Sequence, residues 1–275
     1  MGALNFTPVG DNEKSIKGEL TCFRAIFDPD GEGWPFIYRS WEGLSYSLQM
    51  VIPVSGEAAM NSFNWDSFWE KKGENKQMIR GAKRMANRIG KFLNRYDIKS
   101  VADFGCGSGG TLFILADKYP HISFYGFDSS LIIVSKNHQR AEEVGLSNLC
   151  FKQDTIPLIK SRMIFDLVYS IATLHYVMDI KQAIKNLYRR VNTGGFLIFN
   201  YPNRYSMFWY RNHIKPSDKE MRVRFSLLLA GQNLITLKDI TITAGKKPKN
   251  FWRAVGENGQ RANVCVYLHK PCTPD

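Results

Sequence analysis

An α/β fold with a doubly wound, parallel sheet is predicted by two patterns in the 275-residue chain. From residue 98 onward, short apolar runs that suit buried strands alternate with segments that suit helices, which is typical of a sheet covered by helices on both faces. The first strand-like run also passes through closely spaced glycines into a helix-capable segment. Glycines there let the backbone turn sharply and let a ligand approach the first free N–H groups of the helix.

The individual elements follow from the same alternation. Strands are predicted at Ser100–Phe104, Ile122–Phe127, Leu149–Lys152, Phe165–Ser170 and Phe196–Asn200. Helices are predicted at Thr111–Lys118, Leu131–Val144 and Ile180–Arg190. Asn192-Thr-Gly-Gly195 predicts a helix stop and a tight turn into the fifth strand. Ile235–Thr243 and Asn263–His269 alternate apolar and polar residues, as the two strands of a half-buried final hairpin do.

Composition limits the class of protein. Hydrophobic residues make up 44% and charged residues 23% of the chain, and no apolar run approaches the ~18 residues that a membrane span requires, so no membrane association is expected. The five cysteines are scattered and form no Cys-x-x-Cys pair, which argues against a disulfide framework and against a metal site. A reducing, cytoplasmic location is therefore expected.

A net charge of +12 calls for an explanation, because strongly basic proteins often bind nucleic acid or acidic substrates. Seven basic residues recur at helical spacing, with apolar residues on the opposite side of the same helix. We call them the basic stripe: Lys76, Arg80, Lys83, Arg84, Arg88, Lys91 and Arg95. The stripe is interpreted first as the solvated face of a helix that docks on the domain, with an RNA-contacting surface as the alternative.

The glycine loop follows an acidic residue. Gly105, Gly107 and Gly110 satisfy the spacing of a dinucleotide-binding loop. Asp103, however, lies two residues before the first glycine, where a pyrophosphate gains nothing from a negative charge but a ligand ammonium does. Asp128 follows the second predicted strand, where a carboxylate can bind both hydroxyls of an adenosine ribose, which fits either kind of loop.

Asp-x-Gly-x-Gly-x-Gly at 103–109 resembles the first motif of class I S-adenosylmethionine (SAM) methyltransferases. The resemblance extends in unbroken order over roughly residues 65–200, through Phe151-Lys-Gln-Asp-Thr155, Phe165–Val177 and Val191–Asn200. It implies SAM as the cofactor and a mostly parallel seven-stranded sheet whose last strand is antiparallel. It also implies a methyltransferase domain at 61–275 and a substrate lid at 201–234. Turn signals at Asp28-Pro-Asp-Gly-Glu-Gly33 separate short apolar runs in the preceding stretch, so an N-terminal cap or irregular lobe is expected at 1–60. An ordinary packed helix at Ser217–Ala230 is the alternative to the lid.

The resemblance assigns Asp154 to the exocyclic amine of adenine, with Thr155 beside it. The complete set of expected cofactor contacts is Trp69, Asp103, Gly105, Cys106, Gly107, Asp128, Ser129, Asp154, Thr155 and Ser170. For Trp65 and Trp69, packing of the following helix against the sheet is the alternative to closing over the cofactor or stacking on a substrate.

His175 is the candidate general base, because the resemblance places it just past the fourth strand, where open α/β sheets bind ligands. The expected acceptor contacts are Tyr176, Tyr201, Tyr205, Trp209 and His213. Enzymes that methylate base amines carry Asn/Asp-Pro-Pro-Tyr/Phe after the fourth strand, whereas this chain has Ser170-Ile-Ala-Thr173. A small-molecule acceptor, methylated at N or O, is therefore expected. The alternatives are an RNA or protein methyltransferase that uses the basic helix 76–95, and a non-catalytic SAM-binding partner protein; no oligomeric state is indicated.

Overall fold

The computed structural model describes residues 63–71, 74–254 and 263–272. The predicted cap at 1–60 lies outside these residues, so it stays a prediction. The helices are α1 (Trp65–Lys71), α2 (Lys76–Leu93), α3 (Gly110–Lys118), α4 (Leu131–Glu143), α5 (Ile180–Arg189), α6 (Arg204–His213), α7 (Lys219–Arg224), α8 (Ser226–Ala230) and α9 (Leu237–Ala244). The strands are β1 (Ser100–Phe104), β2 (Ser123–Asp128), β3 (Leu149–Gln153), β4 (Phe165–Ser170), β5 (Val191–Tyr201), β6 (Lys249–Ala254) and β7 (Asn263–His269).

The strands form one seven-stranded sheet in the order β3-β2-β1-β4-β5-β7-β6. Strands β1 to β5 pair in parallel, and β7 is antiparallel to both of its neighbours, β5 and β6. This confirms the predicted doubly wound, mostly parallel sheet with an antiparallel last strand. All five parallel strands run in one direction, so their carboxyl ends meet at one edge, which is where such sheets bind ligands.

Helices cover both faces of the sheet and bury the apolar side chains that alternate along each strand. Ile89 of α2, Leu112 of α3 and Val134 of α4 belong to the core on one face. Ile184 of α5 and Ile240 of α9 belong to the core on the other face. Burial on both sides explains why the central strands read as continuous apolar runs.

The predicted start of the fifth strand is wrong. Strand β5 begins at Val191 rather than at residue 196, and the glycines lie inside it as a bulge: Phe165 pairs with Val191, whereas Leu167 already pairs with Phe196. A Cβ on Gly195 would lie 2.6 Å from the Asp166 carbonyl oxygen, so the bulge depends on a close approach of two backbones.

The predicted strand at Ile235–Thr243 is also wrong, since these residues form most of helix α9. The cause is a capping box: the Thr236 hydroxyl accepts the Asp239 N–H at 3.1 Å, and the Asp239 carboxylate accepts the Thr236 N–H at 3.1 Å. Ile240 is then fully buried among the residues that cover the sheet. The sixth strand is formed instead by Lys249–Ala254.

The insertion after β5 forms three short helices around an apolar cluster of their own. The single helix predicted at Ser217–Ala230 is divided into α7 and α8 at Phe225. Met207, Phe225 and Leu228 are buried in this cluster, and Arg211 joins α6 to α8 by donating to the Leu229 carbonyl at 2.6 and 2.8 Å. None of the described helices is both long enough and apolar enough to cross a membrane.

Candidate active site

The glycine loop lies at the carboxyl ends of β1 and β2 and is held to the second strand. The N–H groups of Gly105 and Cys106 donate to the Phe127 carbonyl at 2.7 and 3.0 Å. Gly105 has φ +80°, and a Cβ there would lie 2.3 Å from the Thr173 Cγ2. No side chain larger than that of glycine fits this turn, because the Thr173 side chain packs directly against it.

Asp103 is buried at the end of β1, and its Oδ1 has no hydrogen-bond partner among the described residues. Burial raises the pKa of its carboxyl well above the usual value, the neighbouring Tyr169 hydroxyl lowers it, and the negative charge of Asp128 raises it further. The Tyr169 hydroxyl is itself without a hydrogen-bond partner among the described residues. A buried carboxylate oxygen without a donor is costly unless a ligand supplies one. A ligand ammonium would supply both the donors and the compensating charge.

Asp128 ends β2 and holds the glycine loop from the other side. Its Oδ2 accepts the Gly107 N–H at 2.9 Å, and its Oδ1 accepts the Ser130 N–H at 3.0 Å. Burial raises the pKa of this carboxyl, while the backbone N–H groups lower it. Each oxygen keeps further lone pairs, so the carboxylate can also accept hydroxyl groups of a ligand.

The carboxylate of Asp154 closes the loop that follows β3. It accepts the N–H groups of Thr155, Lys160 and Ser161 at 2.8, 2.9 and 2.8 Å. These three bonds give Asp154 a structural role that its sequence position did not indicate. Its adenine contact, like that of the exposed Thr155, stays a prediction.

Helix α1 covers the glycine loop. A Cβ on Gly107 would lie 3.0 Å from the Trp69 ring, and the Asn137 side chain donates to the Gly107 carbonyl at 2.7 Å. Asp66 fastens α1 to the start of α4 by accepting the Ser130 hydroxyl at 2.5 Å, and this bond lowers the pKa of the Asp66 carboxyl. Trp69 therefore lies directly against the loop, as well as packing on its own helix.

Other predicted cofactor residues have mainly structural contacts. Ser170 is completely buried and its hydroxyl donates to the Phe104 carbonyl at 2.8 Å, which joins β4 to β1. The Ser129 carbonyl accepts the Gln153 side-chain amide at 3.0 Å. Burial raises the pKa of the Cys106 thiol well above its usual value, so the thiol stays protonated and is a poor nucleophile.

His175 lies on a 3₁₀ turn, Leu174–Tyr176, just after β4. It is buried, and burial lowers the pKa of its ring to about 4, so the ring is neutral at physiological pH. The Asn233 side chain fixes this turn by donating to the carbonyls of His175 and Val177 at 2.8 and 3.1 Å.

Aromatic rings continue from this turn into the insertion, and we call them the aromatic cluster. The ring of Tyr176 meets Trp65 of α1 at a centroid distance of 4.9 Å and Phe225 at 5.0 Å. Tyr210 of α6 stacks on Phe225 at 4.3 Å and faces His175 at 6.2 Å. The cluster joins α1, the turn after β4 and the insertion at one place beside the carboxyl ends of the strands.

The structure does not bring the other predicted acceptor residues into this cluster. Tyr201 is buried in the apolar core on the face of the sheet covered by α5 and α9. Tyr205 and Trp209 are exposed on α6, and Trp209 stacks on His213 at 4.2 Å. His213 is itself exposed and contacts the Trp209 carbonyl through Nδ1 at 2.7 Å.

Three residues beside the candidate site were not among the contacts predicted from the sequence: Tyr210, Asn233 and Arg224, whose guanidinium lies 5.4 Å from the Phe225 ring centroid. Tyr210 stands among many aromatic residues of the insertion, and only the rotation of α6 directs it inward. Arg224 is one of many basic residues in the chain, so nothing in its sequence context marks it. Among the described residues, no three His, Cys, Asp or Glu side chains are grouped so that they could hold a metal ion.

A family model described as a methyltransferase domain matches residues 97–251 of the chain. Malonyl-[acyl-carrier protein] O-methyltransferase of Bacillus anthracis is 30% identical over 124 residues, which cover 43% of this chain and 44% of that protein. Ubiquinone biosynthesis O-methyltransferase of Coxiella burnetii is 33% identical over 106 residues, which cover 38% of this chain and 44% of that protein. The matches thus span less than half the length of these curated relatives.

The fold has solved counterparts. The N-methyltransferase NodS from Bradyrhizobium japonicum WM9, solved in complex with S-adenosyl-L-homocysteine (SAH), matches with a TM-score of 0.53 and 14% sequence identity. The match covers 77% of this chain and 99% of NodS. At this identity the likeness concerns the fold.

Proposed function

We propose that this chain, which belongs to the methyltransferase domain family, transfers a methyl group from SAM to a small-molecule acceptor. The observation that carries the proposal is the unpartnered, buried Oδ1 of Asp103 beside a glycine loop that no Cβ can enter. A ligand with an ammonium next to an extended polar body fits this arrangement, as a methionine moiety linked to adenosine does.

Five groups would hold the cofactor. Asp103 would accept the ammonium, and the backbone at Gly105 and Gly107 would let the ligand lie close to the loop. Asp128 would accept ribose hydroxyls while it keeps its bonds to the loop, and Trp69 would exclude water from above. When bound, SAM supplies an activated methyl group for in-line displacement, so the protein has mainly to position the acceptor and keep water out.

The aromatic cluster would hold the acceptor. Tyr176, Tyr210 and Phe225 offer apolar faces beside the carboxyl edge of the sheet, and His175 lies next to them as a neutral ring. With a pKa of about 4 the His175 ring is a weak base, which suits accepting a hydrogen bond from the acceptor better than removing a tightly held proton. The named relatives act as O-methyltransferases and NodS as an N-methyltransferase, so both N and O remain within the proposal.

Calorimetry with SAH and with NAD tests the cofactor assignment. We expect micromolar SAH binding and no NAD binding, because a negative charge at Asp103 opposes a pyrophosphate. NAD binding without SAH binding would overturn the proposal. A metabolite screen with methyl-labelled SAM then tests the acceptor class, and label that enters RNA or protein but no metabolite would reject a small-molecule acceptor.

A nucleic-acid or protein acceptor is the second candidate, and the surface of α2 favours it. Lys76, Arg80, Lys83 and Arg84 are exposed, and none of them forms an ion pair with an acid in the described part of the chain. Within the described residues, two members of the stripe lie over aromatic rings: Arg88 over Trp252 at 4.3 Å and Arg95 over Tyr96 at 5.6 Å. SAH binding without label transfer to any class of acceptor would favour a non-catalytic SAM-binding partner.

The free thiols at Cys106, Cys150, Cys265 and Cys272 support a reducing location such as the cytoplasm.

A further inference from the structure

A cation lies inside the aromatic cluster. The guanidinium carbon of Arg224, the last residue of α7, is 5.1 Å from the ring centroid of Phe68 and 5.4 Å from that of Phe225. Its Nη2 hydrogen-bonds to the Met221 sulfur, a weak acceptor. Its Nε is buried and has no hydrogen-bond partner in the described part of the chain.

Arg224 lies within ion-pair distance of no acid in the part of the chain that the structure describes. The polar groups that respond to its charge are the phenols of Tyr176 and Tyr210: burial raises the pKa of both, and the positive charge of Arg224 lowers it. A partly buried guanidinium with an unpaired N–H is costly unless an anion or further acceptors complete its hydrogen bonds.

Arg224 also lies on the acceptor side of the proposed site. Tyr176 directly follows His175, and Tyr210 faces the His175 ring at 6.2 Å. Phe68 is the neighbour of Trp69, the residue that lies against the glycine loop. Arg224 is thus connected to the candidate base His175 through Tyr176 and Tyr210. It is connected to the helix that covers the loop through its contact with Phe68.

We propose that Arg224 is the specificity-determining residue for an acceptor that carries a carboxylate on an apolar, ring-like body. This inference rests on the proposed function, since it names the substrate class of the same site. The planar guanidinium presents donors at a spacing that matches a carboxylate, and the rings of Tyr176, Tyr210 and Phe225 provide apolar faces for the rest of the molecule. A single cation balances a carboxylate, whereas a phosphate dianion would leave one charge unpaired in this surrounding.

The test compares benzoate with benzamide, which differ in charge but hardly in shape. Binding of each to the full chain is measured by ligand-observed NMR, with and without saturating SAH. Wild-type protein is expected to bind benzoate at least tenfold more tightly than benzamide. Arg224→Gln is expected to abolish the preference for benzoate without weakening benzamide. Arg224→Lys keeps the charge but not the paired donors, so it is expected to keep part of the preference.

Arg222→Gln is the matched control, because Arg222 lies on the same helix and is exposed. It removes the same charge and should leave the preference within twofold of wild type. Equal binding of benzoate and benzamide to wild type would overturn the inference, as would a preference that survives in Arg224→Gln. If Arg224→Gln does not fold, an undiminished preference in Arg224→Lys would overturn it. Tighter binding of inorganic phosphate than of benzoate would reject a carboxylate.

SAH affinity separates this inference from the proposed function. Calorimetry should give the same dissociation constant for SAH in wild type, Arg224→Gln and Arg222→Gln, because Arg224 does not contact the glycine loop. Loss of SAH binding in wild type would overturn the proposed function, while the benzoate measurement without SAH would still decide the role of Arg224.

Discussion

Replacement of Asp128 by Asn separates the two tasks of this carboxylate. The structure gives it two hydrogen bonds, from the N–H groups of Gly107 at 2.9 Å and Ser130 at 3.0 Å. Asn has the same shape but one acceptor oxygen, so one of these bonds is lost and an amide group faces an N–H. A hydrogen bond to a charged group contributes about 1.5–3 kcal/mol, so Asp128→Asn should lower the free energy of unfolding by about 2 kcal/mol.

The same change should weaken cofactor binding. Loss of charge-assisted bonds to the ribose costs about 1–3 kcal/mol, which raises the dissociation constant roughly 5- to 150-fold. Calorimetry with SAH, at a temperature where circular dichroism shows the variant folded, measures this change directly. An unchanged dissociation constant in the folded variant would remove Asp128 from the cofactor site.

Asp166→Asn is the matched control for that measurement. The Asp166 carboxylate accepts the N–H groups of Lys99 and Ser100 at 3.0 and 2.9 Å and the Asn192 amide at 2.7 Å. These contacts lie at the amino ends of β1 and β4, at the opposite edge of the sheet. The control should therefore lose a similar amount of stability but bind SAH as wild type does. Equal loss of SAH affinity in both variants would show that the effect is only one of stability.

Three further outcomes are expected. Ala172 has φ +60°, which strains any residue but glycine, and its N–H donates to the Asn200 side chain at 2.7 Å. Ala172→Gly should therefore raise the free energy of unfolding by about 0.5–1 kcal/mol in a denaturant titration. A decrease in this free energy would contradict backbone strain at residue 172. The pKa of His175 is about 4 in the fold against 6.5 for a free side chain, so the unfolded chain binds the proton more readily than the folded chain. The free energy of unfolding of the wild type should therefore fall by about 2 kcal/mol as the pH falls from 7 to 5. His175→Phe should remove that part of the pH dependence, and an unchanged profile would reject the buried neutral ring. Lys83→Glu combined with Arg84→Glu should leave turnover of a small acceptor within about threefold; RNA binding that is steeply salt-dependent in wild type and lost in this variant would favour the RNA alternative instead.

Local sequence patterns were enough to predict the parallel sheet and the position of the glycine loop in it. The order of strand, glycine loop and helix around Asp103 depends on residues close together in the chain, and the family match confirms the resemblance that this order suggested. The acids at the ends of the first two strands could also be located, because β1 and β2 are parallel neighbours and both strands end at the same edge. Backbone conformation, apolar alternation and the direction of the chain suffice for such inferences.

Tertiary structure decided which of several equivalent local patterns was used. Ile235–Thr243 alternates as a strand does, yet a capping box at Thr236 and the burial of Ile240 make it a helix. Among the aromatic residues of the insertion, packing directs Tyr210 toward His175 and leaves Trp209 at the surface. Arg224 is distinguished from the other basic residues only by the rings around it. The side-chain contacts that define an acceptor pocket join segments far apart in the chain, so no local pattern contains them.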